Sequence, residues 1–192
     1  IDHLTHNVHR GRMGEWADFY ERIFNFREVR YFDIEGQVTG VKSKAMTSPC
    51  GRIRIPINEE GNEKAGQIQE YLDWHDQTPG IQHLALLTSD AVDSVAQLRR
   101  RGVDFLTIPD SYYKTVWDRV GDIQESHDNV EQLRLLADRD DQGYLLQIFT
   151  KPLQDRPTLF FEIICRRGSQ SFGKGNFKAL FESLEIEQER RG

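Results

Sequence analysis

Three residues of this chain stand in sequence settings that could support metal chemistry. His3 lies in the stretch IDHL and His83 in the stretch IQHL, so the pattern Ile-x-His-Leu occurs twice. Glu162 lies in the apolar stretch LFFEII. Burying an ionised carboxylate there is very costly unless a metal, a cation or a raised pKa compensates. Two neutral imidazoles and one carboxylate, with vacant positions opposite, form a donor set suited to ferrous iron, Fe(2+), and O2 chemistry.

The two histidine-containing stretches begin two similar segments of the chain. Each is followed by an amphipathic helix and then by three strands, which predicts the order βαβββ twice. One such module is too small to close a sheet, so two modules side by side are expected to enclose one cavity. We therefore predict an α+β fold of paired βαβββ modules, at 1–66 and 80–168, that form an open mixed-sheet barrel. An amphipathic helix over 174–190 follows, and it could fold back over a site.

Hydrophobic periodicity places the elements of both modules. In the first, a strand over 1–8 precedes a helix over 11–26. The apolar face of that helix consists of Met13, Trp16, Phe19, Tyr20, Ile23 and Phe24. In the second, a helix over 89–102 can be capped by Ser89 or Asp90, and strands are expected in VDFLTIP, GYLLQIFT and TLFFEIICRRG. The long polar insertion before GYLLQIFT contains the charge run ADRDDQ and a stretch of helical character, VEQLRLLA.

The remaining histidines are expected to play no part in the metal site. Side chains alternate along a strand, so His3 and His6 point to opposite sides. His9 shares the side of His3 but lies about 20 Å further along the strand. We expect surface positions for His6, His9, His75 and His127. The cysteines Cys50 and Cys165 have no paired spacing, so we expect both to be packing residues of a reduced, cytoplasmic protein.

Composition and charge limit the class of protein. The 192 residues are 38% hydrophobic and 29% charged, as is usual in soluble globular proteins. The net charge of −6 argues against nucleic acid or an anionic membrane as a partner, and no apolar run approaches the ~20 residues of a membrane span. We expect a small-molecule substrate and a homo-oligomer. Because the chain lacks an initial Met and begins inside a predicted strand, we also expect that an N-terminal domain of the parent protein is absent.

Several long stretches resemble the catalytic half of the 4-hydroxyphenylpyruvate dioxygenase family. They are GIQHLALLT, DRDDQGYLLQIFTKPLQDRPTLFFEII and GKGNFKALFESLEIEQERRG, with further matches in IDHLTHNVHRGRM, RIPINE and GQIQEYL. The resemblance covers essentially the whole chain, and 111–136 is its least informative part. It implies the vicinal oxygen chelate, or glyoxalase-like, fold and Fe(II) held by His3, His83 and Glu162.

The resemblance also implies a substrate pocket. The family's positions fall on Ser43, Pro56, Asn58, Gln67, Gln82, Gln147, Phe149, Phe160, Phe172, Asn176 and Phe177. From the residues alone, Phe149 and Phe160 fit plain core equally well, and Phe177 fits the core face of a helix. Gln147 lies between two apolar strand residues, where its amide must find a partner. Structural hydrogen bonding and ligand contact explain it equally; the family favours ligand contact and a place for Gln147 among the catalytic residues.

The activity that the resemblance implies is the O2-dependent conversion of 4-hydroxyphenylpyruvate to homogentisate and CO2, a step of tyrosine and phenylalanine catabolism. A sister enzyme, 4-hydroxymandelate synthase, uses the same substrate and is the first alternative. It tends to carry an aliphatic residue where this chain has Asn58, which favours the dioxygenase. A non-catalytic small-molecule-binding protein of the same fold is the second. One departure is Cys165, where the family has Gln; it lies three residues after Glu162 and is expected to face away from the metal.

Overall fold

The architecture combines one mixed sheet with short helices. A computed structural model describes residues 1–35, 40–62, 66–177 and 179. The strands are β1 (His3–Asn7), β2 (Arg27–Glu35), β3 (Gly40–Thr47), β4 (Arg54–Glu60), β5 (Gly80–Leu87), β6 (Leu136–Asp140), β7 (Gly143–Phe149) and β8 (Phe160–Arg167). The helices are α1 (Met13–Phe24), α2 (Gln67–Trp74), α3 (Ala91–Arg100), α4 (Asp110–Tyr113), α5 (Val116–Val120) and α6 (His127–Gln132), followed by a 3-10 turn at Lys174–Asn176.

The strand order is β2-β3-β4-β1-β5-β8-β7-β6. Its first four strands run β2-β3-β4-β1, and the last four, read from the other end, run β6-β7-β8-β5. The same connectivity thus occurs twice, as the repeat of sequence predicted, and the α+β class with a mixed sheet is confirmed. In the first half, β1 pairs with β4 in parallel and with β5 antiparallel.

By internal packing the chain divides into two compact units. The first comprises Ile1–Ala85 and Pro152–Phe161, and the second Leu86–Lys151 and Glu162–Gly192. Strands β5 and β8 therefore begin in the first unit and continue in the second. The modules predicted at 1–66 and 80–168 stay a prediction.

In the first unit, α1 packs its inner face on β1, β3 and β4. The buried cluster there consists of Val8, Met13, Ala17, Met46, Ile55 and Ile57, with Trp16, Tyr20 and Phe26 packed against it. The predicted apolar face of α1 is only partly buried, because Phe19, Ile23 and Phe24 are exposed by 43%, 63% and 53%. These three side chains lie on the part of the helix surface beyond the stripe that reaches the sheet.

Two successive glutamates at the end of β4 hold the starts of α1 and α2. The Oε2 atom of Glu59 accepts the backbone N–H of Met13 at 3.0 Å. The Oε1 atom of Glu60 accepts the N–H groups of Gly66, Ile68 and Gln69, all within 3.1 Å. Because adjacent strand residues point to opposite faces, one strand end satisfies unpaired N–H groups of two helices on the two sides of the sheet.

Replacing Glu59 by Leu is expected to lower the free energy of unfolding by about 1 kcal/mol, because the first N–H of α1 loses its buried acceptor. Replacing it by Gln keeps an acceptor oxygen, so that variant should lose clearly less. Urea unfolding of the two variants beside the unaltered chain measures the difference. Equal losses for Leu and Gln would show that Glu59 does not act as the cap.

In the second unit, the helix predicted over 89–102 is α3. Asp90 caps it through a side-chain oxygen that accepts the N–H of Asp93 at 2.9 Å, and Gly102 follows its end at φ +85°. The predicted strand VDFLTIP is wrong, since only Phe105 forms an isolated bridge, to Thr150. The first strand after α3 in this half is β6 instead, which contains part of the charge run ADRDDQ.

The charge run can form a strand because its charged side chains have bonding partners outside the strand. Arg119 pairs with Asp138, and Arg139 donates to the carbonyl groups of Val120 and Asp122. Helical character in VEQLRLLA extends only to Gln132, after which the chain turns into β6. The helix predicted over 174–190 lies mostly outside the described residues. Among the described helices, none has the length and apolar character needed to cross a membrane.

Candidate metal centre

The structure brings His3, His83 and Glu162 together. One potential ligand atom from each lies within 4.8 Å of the corresponding atoms of the other two, and all three residues are buried. Their exposed fractions are 3%, 6% and 1%. Two imidazole nitrogens and a carboxylate oxygen, shielded from water, are donors that could hold a metal ion.

The pairing of β1 with β5 places the two histidines. Thr5 lies directly opposite His83, and His3 lies opposite Ala85 on the same face as Thr5. The register then shifts by one residue, because His6 pairs with Ile81, which leaves Gln82 as an extra residue on β5. Such a bulge re-aims the side chains beside it. The two imidazole rings meet edge to face with their centres 5.6 Å apart.

A carboxylate orients the ring of His3. The Nδ1 atom of His3 lies 2.8 Å from Oδ1 of Asp2, whose other oxygen is 3.7 Å from the guanidinium of Arg54. A carboxylate accepts, so Nδ1 carries the proton and the lone pair of the neutral ring is on Nε2. A carboxylate behind a ligating histidine fixes the tautomer and raises the basicity of the ligand nitrogen.

His83 is oriented by an amide and by an aromatic ring. Its Nδ1 atom donates to Oε1 of Gln82 at 3.0 Å, and Nε2 accepts the hydroxyl of Thr5 at 2.9 Å. The ring of Phe160 stacks on it with centres 5.1 Å apart. A metal bound at Nε2 would take the lone pair that Thr5 uses, so the hydroxyl hydrogen of Thr5 must turn away when the ion binds.

Glu162 is held by Gln147 from the neighbouring strand. The Nε2 atom of Gln147 donates to Oε1 of Glu162 at 2.9 Å, and both side chains are at most 2% exposed. Phe149 lies directly opposite Glu162 in the pairing of β7 with β8. The amide thus orients the carboxylate. Its N–H also compensates part of the cost of burying a carboxylate among apolar residues.

In the first unit, polar residues line the face of β3, β4 and β1 that lies away from α1. Ser43 pairs with Asn58, and Asn58 pairs with Asn7, so the three lie in a row across the strands. Pro56 is two residues from Asn58 on the same face. All four are buried.

This row contains side-chain atoms whose hydrogen bonds are unmade. Within the described residues, Oδ1 of Asn58 and both polar atoms of Asn7 are buried without a partner. Asn7 is fully buried. A buried amide left unsatisfied costs about 1–3 kcal/mol per group, so proteins rarely keep one unless water or a ligand completes it.

The other predicted pocket residues are placed as follows. The amides of Gln82 and Gln67 are 3.5 Å apart, at the limit of a hydrogen bond. Phe149, Phe160, Phe172 and Asn176 are buried, whereas Gln67 and Phe177 are half-buried. Asn176 donates through Nδ2 to Oε1 of Gln147 at 2.9 Å. A role for these residues in substrate binding remains a prediction.

Two expectations about histidines and cysteines outside the candidate metal site are wrong. His6 is not a surface residue: it is 4% exposed, its ring packs on Trp16, and its Nδ1 atom accepts the hydroxyl of Tyr20 at 3.1 Å. It faces α1, the side opposite to His3, and that side is core. Cys50 is exposed rather than packed, whereas Cys165 is buried. His9, His75 and His127 are partly exposed.

Sequence reasoning missed Asp2, Thr5 and Asn7. The alternation that separated His3 from His6 also places Thr5 and Asn7 on the side of His3, so strand period alone could have identified them. Asp2 could be recognised only from its position next to a candidate ligand. No pattern in the sequence indicates that its carboxylate turns toward Nδ1 of His3.

Curated proteins of similar sequence align over the whole of this chain. A protein named hemolysin VllY from Vibrio vulnificus is 55% identical over 196 residues, and one named 4-hydroxyphenylpyruvate dioxygenase from Pseudomonas aeruginosa is 54% identical over 195. Each alignment covers 100% of this chain and 53% of the relative. The chain therefore spans about half the length of the curated relatives it matches.

A solved structure and a family profile also match this chain. A mutant of 4-hydroxymandelate synthase from Streptomyces coelicolor superposes with a TM-score of 0.89 at 37% identity, over 98% of this chain and 54% of that one. Residues 1–148 match the profile of the Glyoxalase/Bleomycin resistance protein/Dioxygenase superfamily. With the repeated strand order and the buried donor set, this match shows that the chain belongs to the Glyoxalase/Bleomycin resistance protein/Dioxygenase superfamily.

Proposed function

We propose that this chain is the iron-binding half of a 4-hydroxyphenylpyruvate dioxygenase, which converts 4-hydroxyphenylpyruvate and O2 to homogentisate and CO2 in tyrosine and phenylalanine catabolism. The observation that carries the proposal is the buried donor set of His3, His83 and Glu162. Relatives about half identical over the whole chain, several of them named as this enzyme, support it. The expected cytoplasmic location and homo-oligomer belong to the same proposal.

The metal in this proposal is Fe(II), which would supply Lewis acidity and redox chemistry toward O2 when it is bound. The chain's own residues hold and shape the site. Asp2 keeps the proton of His3 on Nδ1, and Gln82 does the same for His83, so each ring offers Nε2. Gln147 fixes the carboxylate of Glu162 by its N–H.

The remaining pocket residues place an organic substrate. Phe160 covers one face of the His83 ring and keeps water from it. The unmade hydrogen bonds of Asn7 and Asn58 match a hydroxyl group, which can donate to one amide oxygen and accept from the other amide nitrogen. We assign the phenol of 4-hydroxyphenylpyruvate to this row, since a fixed phenol orients the ring for reaction.

The test is product analysis after Fe(II) is added anaerobically to the metal-free chain, followed by 4-hydroxyphenylpyruvate and then O2. We expect O2 uptake with an equal amount of homogentisate. Hydroxymandelate as product would establish the synthase instead, an alternative that the structural similarity to 4-hydroxymandelate synthase keeps open. Substrate binding without O2 uptake would leave the chain as a binding protein.

Replacing Asn7 by Leu is expected to stabilise the substrate-free chain by about 1–2 kcal/mol, because it removes a buried amide whose bonds are unmade. The same variant should bind 4-hydroxyphenylpyruvate about tenfold more weakly or worse, because a bond to the phenol is worth about 1.4 kcal/mol or more. Urea unfolding and anaerobic substrate titration measure the two effects. A variant that is less stable, with unaltered affinity, would remove Asn7 from the substrate site.

A further inference from the structure

A continuous line of hydrogen bonds runs through the second unit to Glu162. It starts at Arg119, whose Nη2 atom donates to Oδ1 of Asn176 at 3.1 Å. Nδ2 of Asn176 donates to Oε1 of Gln147 at 2.9 Å, and Nε2 of Gln147 donates to Oε1 of Glu162 at 2.9 Å. The line therefore joins α5, the 3-10 turn at Lys174–Asn176, β7 and β8.

The chemistry at the two ends determines which way both amides point. A guanidinium can only donate, so the atom of Asn176 that it meets must be the oxygen. The nitrogen of Asn176 then faces Gln147 and requires an oxygen there. That leaves the nitrogen of Gln147 for Glu162, and an ionised carboxylate can only accept. Both ends demand the same orientation, so neither amide can flip without breaking two bonds.

Tyr112 of α4 adds a second donor at the same end. Its hydroxyl donates to Oδ1 of Asn176 at 2.7 Å and accepts the N–H of Ala137 at 2.8 Å. The carbonyl of Ala137 also lies 3.0 Å from the Tyr112 hydroxyl, but it accepts Nη2 of Arg119 at 3.0 Å, so the single proton of Tyr112 can serve Asn176. Burial raises the pKa of Tyr112 to about 12, so the hydroxyl keeps that proton at neutral pH.

The backbone of the 3-10 turn at Lys174–Asn176 and of Gly173 before it lies close to the side chains of this hydrogen-bonded line. Gly173 has φ +75°, and a Cβ atom there would lie 1.8 Å from Oε1 of Gln147. A Cβ on Gly175 would lie 2.2 Å from Nη1 of Arg119. The N–H of Gly175 donates to Asp138, the carboxylate that pairs with Arg119. Only glycine lets the chain approach both side chains so closely.

We propose that Arg119 and Tyr112 are positioning residues for the metal site: through Asn176 they fix the amide of Gln147 so that its N–H always faces Glu162. The inference rests on the proposed metal site. It gives a role to the insertion before β7, whose helices α4 and α5 supply both residues. It also makes Asn176, expected as a substrate contact, a link to the metal ligand.

The first test is Asn176→Asp. The carboxylate still accepts from Arg119 and Tyr112, but it offers an oxygen to Oε1 of Gln147 and so repels it. Gln147 must then turn its oxygen toward Glu162 or leave it. Because loss of a residue behind a metal ligand typically costs 10–100-fold in metal affinity, we expect the affinity for Fe(II) and for Co(II) to fall at least about tenfold. The visible absorption of bound Co(II), which reports ligand geometry, should change as well.

The second test compares two neighbouring tyrosines of α4. Tyr112→Phe removes one donor to Asn176, whereas Tyr113→Phe removes a buried hydroxyl that donates to the carbonyl of Leu135 at 3.1 Å. Each variant loses a phenol hydroxyl, and of the two tyrosines only Tyr112 is bonded to Asn176. Tyr112→Phe also removes the acceptor of the N–H of Ala137. We expect Tyr112→Phe to weaken metal binding several-fold and Tyr113→Phe to leave it within about twofold. Both variants should lose stability in urea unfolding, and Tyr112→Phe should lose more because its hydroxyl makes more bonds.

The readout is metal affinity by chelator competition, so it is independent of turnover. Equal effects of the two tyrosine variants, or unaltered affinity and Co(II) spectrum in Asn176→Asp, would overturn the inference. If Asn176→Asp shows no cooperative unfolding, the tyrosine comparison decides alone. A chain that shows the expected pattern but forms no homogentisate would keep the inference and refute the dioxygenase; a chain that binds no divalent ion would refute both.

Discussion

His83→Ala, His3→Ala and Glu162→Gln are each expected to lower Fe(II) affinity by more than about 100-fold, since even a residue behind a metal ligand is worth 10–100-fold. Glu162→Gln keeps the size of the side chain and removes only the charge, so it separates ligation from packing. The matched control is His9→Ala, which removes a histidine of the same N-terminal segment that is partly exposed and bonded to the carbonyl of Gln77.

Chelator competition with the metal-loaded chain measures these affinities. His9→Ala should retain the affinity of the unaltered chain and full homogentisate formation, whereas the other three should form none. If any of those three keeps both its metal and its activity, the assignment of that ligand is wrong. A loss that is equally large in His9→Ala would instead point to damage of the whole first unit.

Acid is expected to destabilise the metal-free chain through His6. Burial lowers the pKa of His6 from 6.5 to about 4, because a charged imidazole is poorly solvated against Trp16 and Tyr20. The folded state therefore disfavours the proton that the unfolded chain accepts. The contribution is fully present above pH 6.5, falls as the pH drops toward 4, and amounts to about 3 kcal/mol in total.

His6→Asn tests this sign and size, because Asn has no titration in that range and keeps an oxygen for the hydroxyl of Tyr20. Urea unfolding at several pH values from 7 to 4 should show the unaltered chain losing about 3 kcal/mol more than the variant. A chelator must be present, since metal release in acid would add its own loss. Parallel losses in the two proteins would show that His6 is hydrated in the fold.

The repeat explains how much of the fold the sequence could predict. His3 and His83 recur in the same short pattern before similar helices, and the strand order repeats as that pattern implied. The misplaced strand has a physical cause. VDFLTIP is apolar because Leu106 and Ile108 are buried without ladder pairing, while β6 pairs along a run of charges whose partners, such as Arg119 and Val120, lie in the insertion.

Sequence patterns also identify only some of the residues of the candidate metal site. Alternation along β1 selects His3 and, with it, Thr5 and Asn7. It says nothing about which residue covers the opposite face, so His6 was misplaced: α1 makes that face core. The residues that orient the ligands come from single contacts, Asp2 with His3 and Gln147 with Glu162, which no period in the sequence encodes.

The most direct test of the central claim is a crystal structure of the Fe(II)-loaded chain, grown without oxygen and measured at the iron absorption edge. The account predicts one strong anomalous peak within bonding distance of Nε2 of His3, Nε2 of His83 and a carboxylate oxygen of Glu162. A peak that lacks one of these contacts, or iron bound elsewhere while the triad stays bonded only to protein, would contradict it.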